Sequence, residues 1–217
     1  MGRLAITEFL TLDGVGQAPG GPDEDLDGGF AHGGWQAPFV DASAGAAMLE
    51  HHRAMDAMLL GRRTFELFAG YWPHQAPDGN PFAALMNDTP KYVASRTLSG
   101  PQQSWSRTEV LTGDLASAVA AVKDRHREVH VIGSLDLARS LLREGLADRL
   151  DLWLHPLVLG TGKRLFADGV APTQLRLTES QAYDTGVVHL VYETAGTPST
   201  GLRVDDEVLD RIPTATA

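Results

Sequence analysis

The sequence contains no cysteine, which excludes disulfides and thiolate metal sites and permits a reducing compartment without establishing one. It also lacks any apolar run near the roughly 18 residues that a membrane-spanning helix needs. The opening "MGRLAITEFLTLDG" has no sustained apolar stretch, because Glu8 interrupts it, and no cleavage site; the expectation is a cytoplasmic protein. Positive charge is short as well. With 18 Lys and Arg against 28 Asp and Glu the formal net charge is -10 and the pI near 5.1, which opposes non-specific attraction to nucleic acid or to an anionic membrane. Two nucleotide-binding signatures are missing: there is no Walker A loop, and "GVGQAPG" from Gly14 does not supply the G-x-G-x-x-G helix start of a dinucleotide fold. His51 and His52 are adjacent, so on a helix they diverge by about 100°, and with no H-E-x-x-H or comparable spacing no metal site is assigned.

What remains is ordinary for a globular chain: 217 residues, 43% hydrophobic and 21% charged, enough for one well-buried core. "RLAITEFLTL" reads as a first strand, followed by a long Gly-, Pro- and Asp-rich loop and a helix from about Asp41 to Met55. The strand "AMLL" leads into a helix begun by Arg62 to Thr64, then a Pro/Gly-rich connection holds Tyr71, Trp72 and Pro73 before the strand "KYVAS". "DLASAVAAVKDRH" has helical spacing, "VHVIG" is a buried strand, "SLDLARSLLREG" a helix, and "RLDLWLHPLVLG" a long strand. "QLRLTESQAY" and "VVHLVYET" alternate as an antiparallel ending. Strands alternating with helices predict an α/β three-layer sandwich with a mostly parallel central sheet and an antiparallel C-terminal edge. Residues 1–196 form one domain in this reading, and 197–217 a tail in which Val204, Val208, Leu209 and Ile212 could make one short helix.

Three strand-to-helix turns share a chemistry. "LLGRRTFE" places Gly61, Arg62, Arg63 and Thr64 where a helix begins, although helix starts usually favour acidic residues. "VASRTL" has Ser95 and Arg96 at the end of a second strand, and "VIGSLDLARSL" has Gly133 and Ser134 at the end of a third. The carboxyl ends of parallel strands open onto the crevice where ligands bind, and arginine with free helix N–H groups suits phosphate. Ser134 is read either as a helix cap or as a phosphate donor, and Asp136, in the same first turn, counts against a pyrophosphate there.

Taken together, "TLDG" (Thr11–Gly14), "LLGRRTFE" (Leu59–Glu66), "KYVASRTL" (Lys91–Leu98), Val131–Phe166 and "GVVHLVYE" (Gly186–Glu193) resemble the dihydrofolate reductase-like family, especially the bacterial branch containing the reductase domain of riboflavin biosynthesis. The resemblance implies NADPH at a sheet edge, with Gly61, Arg62 and Thr64 at its phosphates, Ser95 and Arg96 at the 2′-phosphate, Gly133 and Ser134 at the pyrophosphate, and Asp13 and Gly14 beside the nicotinamide. Asp13 is then the nearest acid or water-orienting group. Family members that reduce folates carry a carboxylate on the helix after the first loop; Glu50 and Asp41 are the residues present, neither in a recognisable motif, and a solvated Glu50 is the competing reading.

Trp35, Tyr71 and Trp72 suit stacking on a flat ring or, equally, anchoring of loops. His155 and Pro156 are read as a sheet-edge or subunit contact, and the edge strands with "LDLWLHPLVL" suggest a homodimer. The function expected is an NADPH-dependent reductase of a small heterocycle, with Trp35, Glu50 and Trp72 on the substrate side. The alternative is a module that binds NADPH or a pterin without turnover.

Overall fold

The structure, a computed structural model, describes residues 1–76, 78–98 and 105–201. Its elements are β1 (Arg3–Thr11), α1 (Ala42–Arg53), β2 (Ala57–Gly61), α2 (Arg62–Tyr71), α3 (Pro81–Asp88), β3 (Lys91–Ala94), β4 (Thr108–Leu111), α4 (Leu115–Arg125), β5 (Glu128–Ile132), α5 (Leu135–Arg143), β6 (Arg149–His155), β7 (Leu175–Ala182) and β8 (Val188–Thr194). They build one eight-stranded sheet in the order β4-β3-β2-β5-β1-β6-β8-β7. The six strands from β4 to β6 pair in parallel, and β8 and then β7 add in antiparallel fashion. This is the mixed α/β sandwich that the alternation of elements predicts.

Side-chain alternation along each strand divides the core in two. Ala57 and Leu59 of β2 join Leu4, Ile6, Leu10, Val129 and Val131 under α4 and α5, whereas Met58 and Leu60 face the other way, with Val93 and Ile132, under Phe65 of α2 and Met86 of α3. Further along that second face, Ala44 of α1 packs on Trp153 and Val187. Strands buried on both faces read as continuous apolar runs, as "AMLL" does.

Several boundaries differ from the sequence reading. The connection before β3 contains α3, begun by Asn80, whose side chain accepts from Ala83 N, and by Pro81 in the first turn. β4 occupies what reads as turn; at four residues it is too short for a periodicity signal. β6 stops at His155 because Pro156 has no N–H for the ladder. The edge assignment for His155 is wrong: it is 2% exposed and paired in register with Thr11 of β1. β6 is interior to the sheet, so "LDLWLHPLVL" offers no edge. The helix expected around Val204 to Ile212 lies outside the described residues.

On the face of β1 that carries Ile6 and Leu10, Glu8 breaks the apolar pattern. Glu8 of β1 lies between Ile6 and Leu10 in a strand that is nearly all buried, and its Oε1 has no hydrogen-bond partner. Burial pushes its carboxyl up to about 8, with Arg139 pulling only partly the other way. Between the ordinary 4.5 and about 8 the folded protein holds a proton that the unfolded chain has lost, so this group makes stability fall as pH rises through that window. Glu8→Gln should therefore stabilise the protein at pH 8, on the order of 3–5 kcal/mol, and change little at pH 4.5, as read by thermal melts at the two pH values.

Candidate active site

A cleft of about 1200 Å³ runs along the carboxyl ends of the parallel strands. That exceeds the roughly 300–1,000 Å³ of an ordinary small-molecule pocket and leaves room for two ligands side by side. One end is floored by the turns after β2, β3 and β5: Gly61, Arg62, Thr64, Ser95, Arg96, Gly133 and Ser134 all line it. The other end is walled by Phe9 of β1, Met48 and His52 of α1, Phe68 of α2, Trp72, and Phe82 and Met86 of α3.

The polar end is held by two hydrogen bonds between the turns. Gly61 N donates to Ser134 Oγ at 3.0 Å, and Thr64 Oγ1 donates to the Gly133 carbonyl at 3.2 Å. Gly133 takes φ +60°, a left-handed conformation that glycine adopts without a Cβ penalty. Ser134 is not a helix cap: its hydroxyl receives the Gly61 N–H and donates to the Ile132 carbonyl, and no side chain caps α5. α2 has no side-chain cap either, whereas α1, α3 and α4 are capped by Asp41, Asn80 and Asp114. Three helix starts reach this cleft, and of these α4 is capped by Asp114 whereas α2 and α5 are not, so the first-turn N–H groups of α2 and α5 remain for a ligand.

The arginine pair divides as its geometry dictates. Arg63 bonds Asp27 at 3.0 Å, and Asp27 together with Asp25 also receives Lys163, at 3.0 and 2.6 Å; this clamp fastens the long loop. Arg62 is exposed and 3.8 Å from Glu66, a loose contact on its own helix. Ser95 Oγ accepts from Thr97 N and Leu98 N.

Four expected site residues are placed elsewhere. Asp13 accepts from Thr11 Oγ1 at 2.6 Å, from Leu159 N and Gly160 N and from Arg164. Burial alone would raise its carboxyl, but these hydrogen bonds together hold it well below the usual carboxylate range. It cannot donate a proton near neutrality, and neither it nor Gly14 lines the cleft; Gly14 turns the chain at φ +78° and receives Leu165 N. Trp35 is 6% exposed, donates to the Gln17 carbonyl and packs edge-on against His155, so it anchors the loop. Glu50 is exposed and pairs with Arg53; the α1 residues that reach the cleft are Met48 and His52, because a helix face repeats every three to four residues. Trp72 does line the cleft.

His52 was hidden in the sequence by its neighbour. It is 4% exposed, and its Nδ1 lies 2.8 Å from the Met48 carbonyl; a carbonyl only accepts, so Nδ1 carries the proton and Nε2 is a bare acceptor. Burial pushes its pKa down to about 4. His51 instead meets Asp151 and His189 on β6 and β8, three groups whose ligand atoms lie within 4.8 Å of one another. The donor set is one a metal could use, but Arg149 bonds the Asp151 carboxylate at 2.7 Å, and His189 bonds its other oxygen. A guanidinium in that position opposes a second cation. A smaller concavity of about 650 Å³ lies at the opposite ends of the strands, where Arg3 and Lys123 are already paired with Glu128 and Asp148.

Residues 3–189 match the RibD C-terminal domain family. The chain belongs to that family. As a member of this family of reductase domains it is 30% identical over 146 residues to the uncharacterized protein YyaP of Bacillus subtilis, covering 65% of this chain and 76% of that protein. The fold of the RibD C-terminal domain is seen in a riboflavin biosynthesis protein from Shewanella sp. PV-4, with a TM-score of 0.63 and 19% identity over 89% of this chain and 99% of that one. A pyrimidine reductase-like protein from Corynebacterium diphtheriae gives a TM-score of 0.57 and 14% identity over 89% and 92% of the two chains. A Thermotoga maritima diaminohydroxyphosphoribosylaminopyrimidine deaminase/5-amino-6-(5-phosphoribosylamino)uracil reductase gives 0.57 and 14% over 89% of this chain and 57% of that chain. Among the described residues, no helix is long and apolar enough to cross a membrane.

The buried imidazole sets a pH dependence. Below the ordinary 6.5 an unfolded His52 protonates, while the folded one resists until about 4, so stability from this site is lost as pH falls through that window. His52→Gln should remove about 3 kcal/mol of the stability difference between pH 7 and pH 4, as measured by urea titration.

Proposed function

We propose that this RibD C-terminal domain is an NADPH-dependent reductase that transfers hydride to a small pteridine-, pyrimidine- or flavin-like heterocycle. The observation that carries the reading is the pair of uncapped helix starts at α2 and α5, fastened side by side by the Gly61–Ser134 and Thr64–Gly133 hydrogen bonds. Arg62 and Arg96 line the same end of the cleft. Free first-turn N–H groups beside guanidinium groups suit phosphates, and a 2′-phosphate is what separates NADPH from NADH. Bound there, the cofactor supplies the hydride. The chain's own residues bind the phosphates, and the Phe9, Phe68 and Phe82 wall keeps water from the ring to be reduced.

A second reading, a non-catalytic module for NADPH or a pterin, draws on the state of Asp13: it is held ionised by its hydrogen bonds, so the acid expected beside the nicotinamide does not supply a proton. NADPH oxidation by some member of a panel of pteridines, pyrimidines and flavins favours the reductase; binding without oxidation across the panel favours the module. The proposal extends to a homodimer formed through β7, the outer strand whose side chains are nearly all exposed; a monomer mass in light scattering at micromolar concentration would overturn that extension.

Replacing Arg62 and Arg96 together by Ala should weaken NADPH about tenfold or more beyond any loss for NADH in calorimetric titrations. Equal losses for both cofactors would sink the 2′-phosphate assignment.

A further inference from the structure

The unused half of the cleft says what kind of substrate it takes, given the reductase reading above. We propose that the substrate is an uncharged planar ring, without phosphate, that donates a hydrogen bond to Nε2 of His52.

The first ground is where the cations are. Those lining the cleft are Arg62, Arg63, Arg96 and Lys163, and all come from the turns at strand ends or from the loop after β6. Arg63 and Lys163 are already paired with Asp25 and Asp27. Arg62 and Arg96 are the two that the cofactor phosphates take. Among the described residues, α1 and α3 present no Lys or Arg to the cleft. Of the lining carboxylates, Asp136 is held by Arg139 and Glu66 lies 3.8 Å from Arg62, while Glu24 and Glu144 have no Lys or Arg partner among the described residues. With the cofactor in place, a phosphate on the substrate would find no free cation among the described residues of the lining.

The second ground is the wall. Phe9, Met48, Phe82, Met86 and Trp72 form an apolar surface, against which a flat ring loses water favourably and an unpaired anion does not. The third ground is His52. Its Nδ1 proton is committed to the Met48 carbonyl, and burial keeps the ring neutral at pH 7, so the imidazole offers the cleft a lone pair. A lone pair matches a ring N–H or a hydroxyl and repels the oxygens of a phosphate. The phosphoribosylaminouracil named for the Thermotoga maritima reductase has a group that this end of the cleft does not match.

The test uses the full chain and matched pairs that differ only in a phosphate: riboflavin and FMN, uridine and UMP, and 5-amino-6-ribitylaminouracil and its 5′-phosphate. Binding of each is measured by calorimetry with and without saturating NADP⁺, and NADPH binding is titrated separately, so that a failed cofactor site is seen apart from a failed substrate assignment. The expected result is at least one unphosphorylated member binding the NADP⁺-loaded protein about tenfold or more tighter than its phosphorylated partner. Tighter binding of the phosphorylated member, or a panel in which no unphosphorylated member binds, overturns the proposal. His52→Phe should weaken the preferred ring about tenfold with NADPH affinity unchanged; a ring affinity equal to that of the unaltered protein would remove His52 from it. Phe82→Arg, or Met48→Lys should the first not fold, places a cation in the wall and should shift preference toward the phosphorylated member.

Discussion

Everything at the polar end of the cleft depends on the hydrogen bond from Gly61 N to Ser134 Oγ. It joins the start of α2 to the start of α5 across the neighbouring strands β2 and β5, and the Thr64 to Gly133 contact closes the same gap from the other side. A helix start normally satisfies its N–H groups with a cap of its own. Here the serine at the head of α5 serves the neighbouring turn instead, so two helix dipoles stay aligned on one volume with their first turns unsatisfied. Parallel pairing of β2 and β5 brings the turns to the same level, and without it the two hydrogen bonds would have no register to form in.

A second layer of constraint fixes the long loop. Asp13 fastens it to Leu159, Gly160 and Arg164, Gln17 binds the carbonyls of Asp25 and Asp27, and Lys163 receives both of those carboxylates. The acidic residues that make the composition so negative are therefore partly structural, and the loop they fasten forms one bank of the cleft. This explains how a chain of net charge -10 can keep an anion site: the site's attraction is local, built from dipoles and two arginines, and the loop carboxylates Asp13, Asp25 and Asp27 are tied to Arg164, Lys163 and Arg63.

The sheet and the three turns were legible in the sequence because each rests on a local rule. Apolar runs bounded by Gly61 and Gly133 give strands, and helical spacing after each gives the crossover. α3 and β4 escaped because an eight-residue helix and a four-residue strand are too short for periodicity. The site divided the same way. Arg62, Thr64, Ser95, Arg96, Gly133 and Ser134 sit within three residues of a strand end and could be placed in the cleft, whereas the substrate end is assembled from five separate elements whose meeting no spacing records. Glu50 and Trp35 show the cost of reading by residue type: the one faces solvent and the other is sealed under its own loop, while His52, two positions from Glu50, faces the cleft.

The polar groups buried below that wall continue the pattern. Thr7 Oγ1 lies 3.4 Å from His130 Nδ1, His130 Nε2 has no hydrogen-bond partner, and the His52 and His130 rings are 6.3 Å apart. The Glu128 carboxylate lies 3.8 Å from His130 and is itself held by Arg3 and Arg149, and Asp151, held by Arg149 and His189, acts on His52 from a distance. Burial makes neutral imidazole cheaper than imidazolium for His52, so that ring presents a lone pair and an N–H rather than charge. The cleft thus has a charged end that discriminates by phosphate and a neutral end that discriminates by shape and hydrogen-bond polarity, and the sheet separates the two functions by drawing one from strand ends and the other from helix faces.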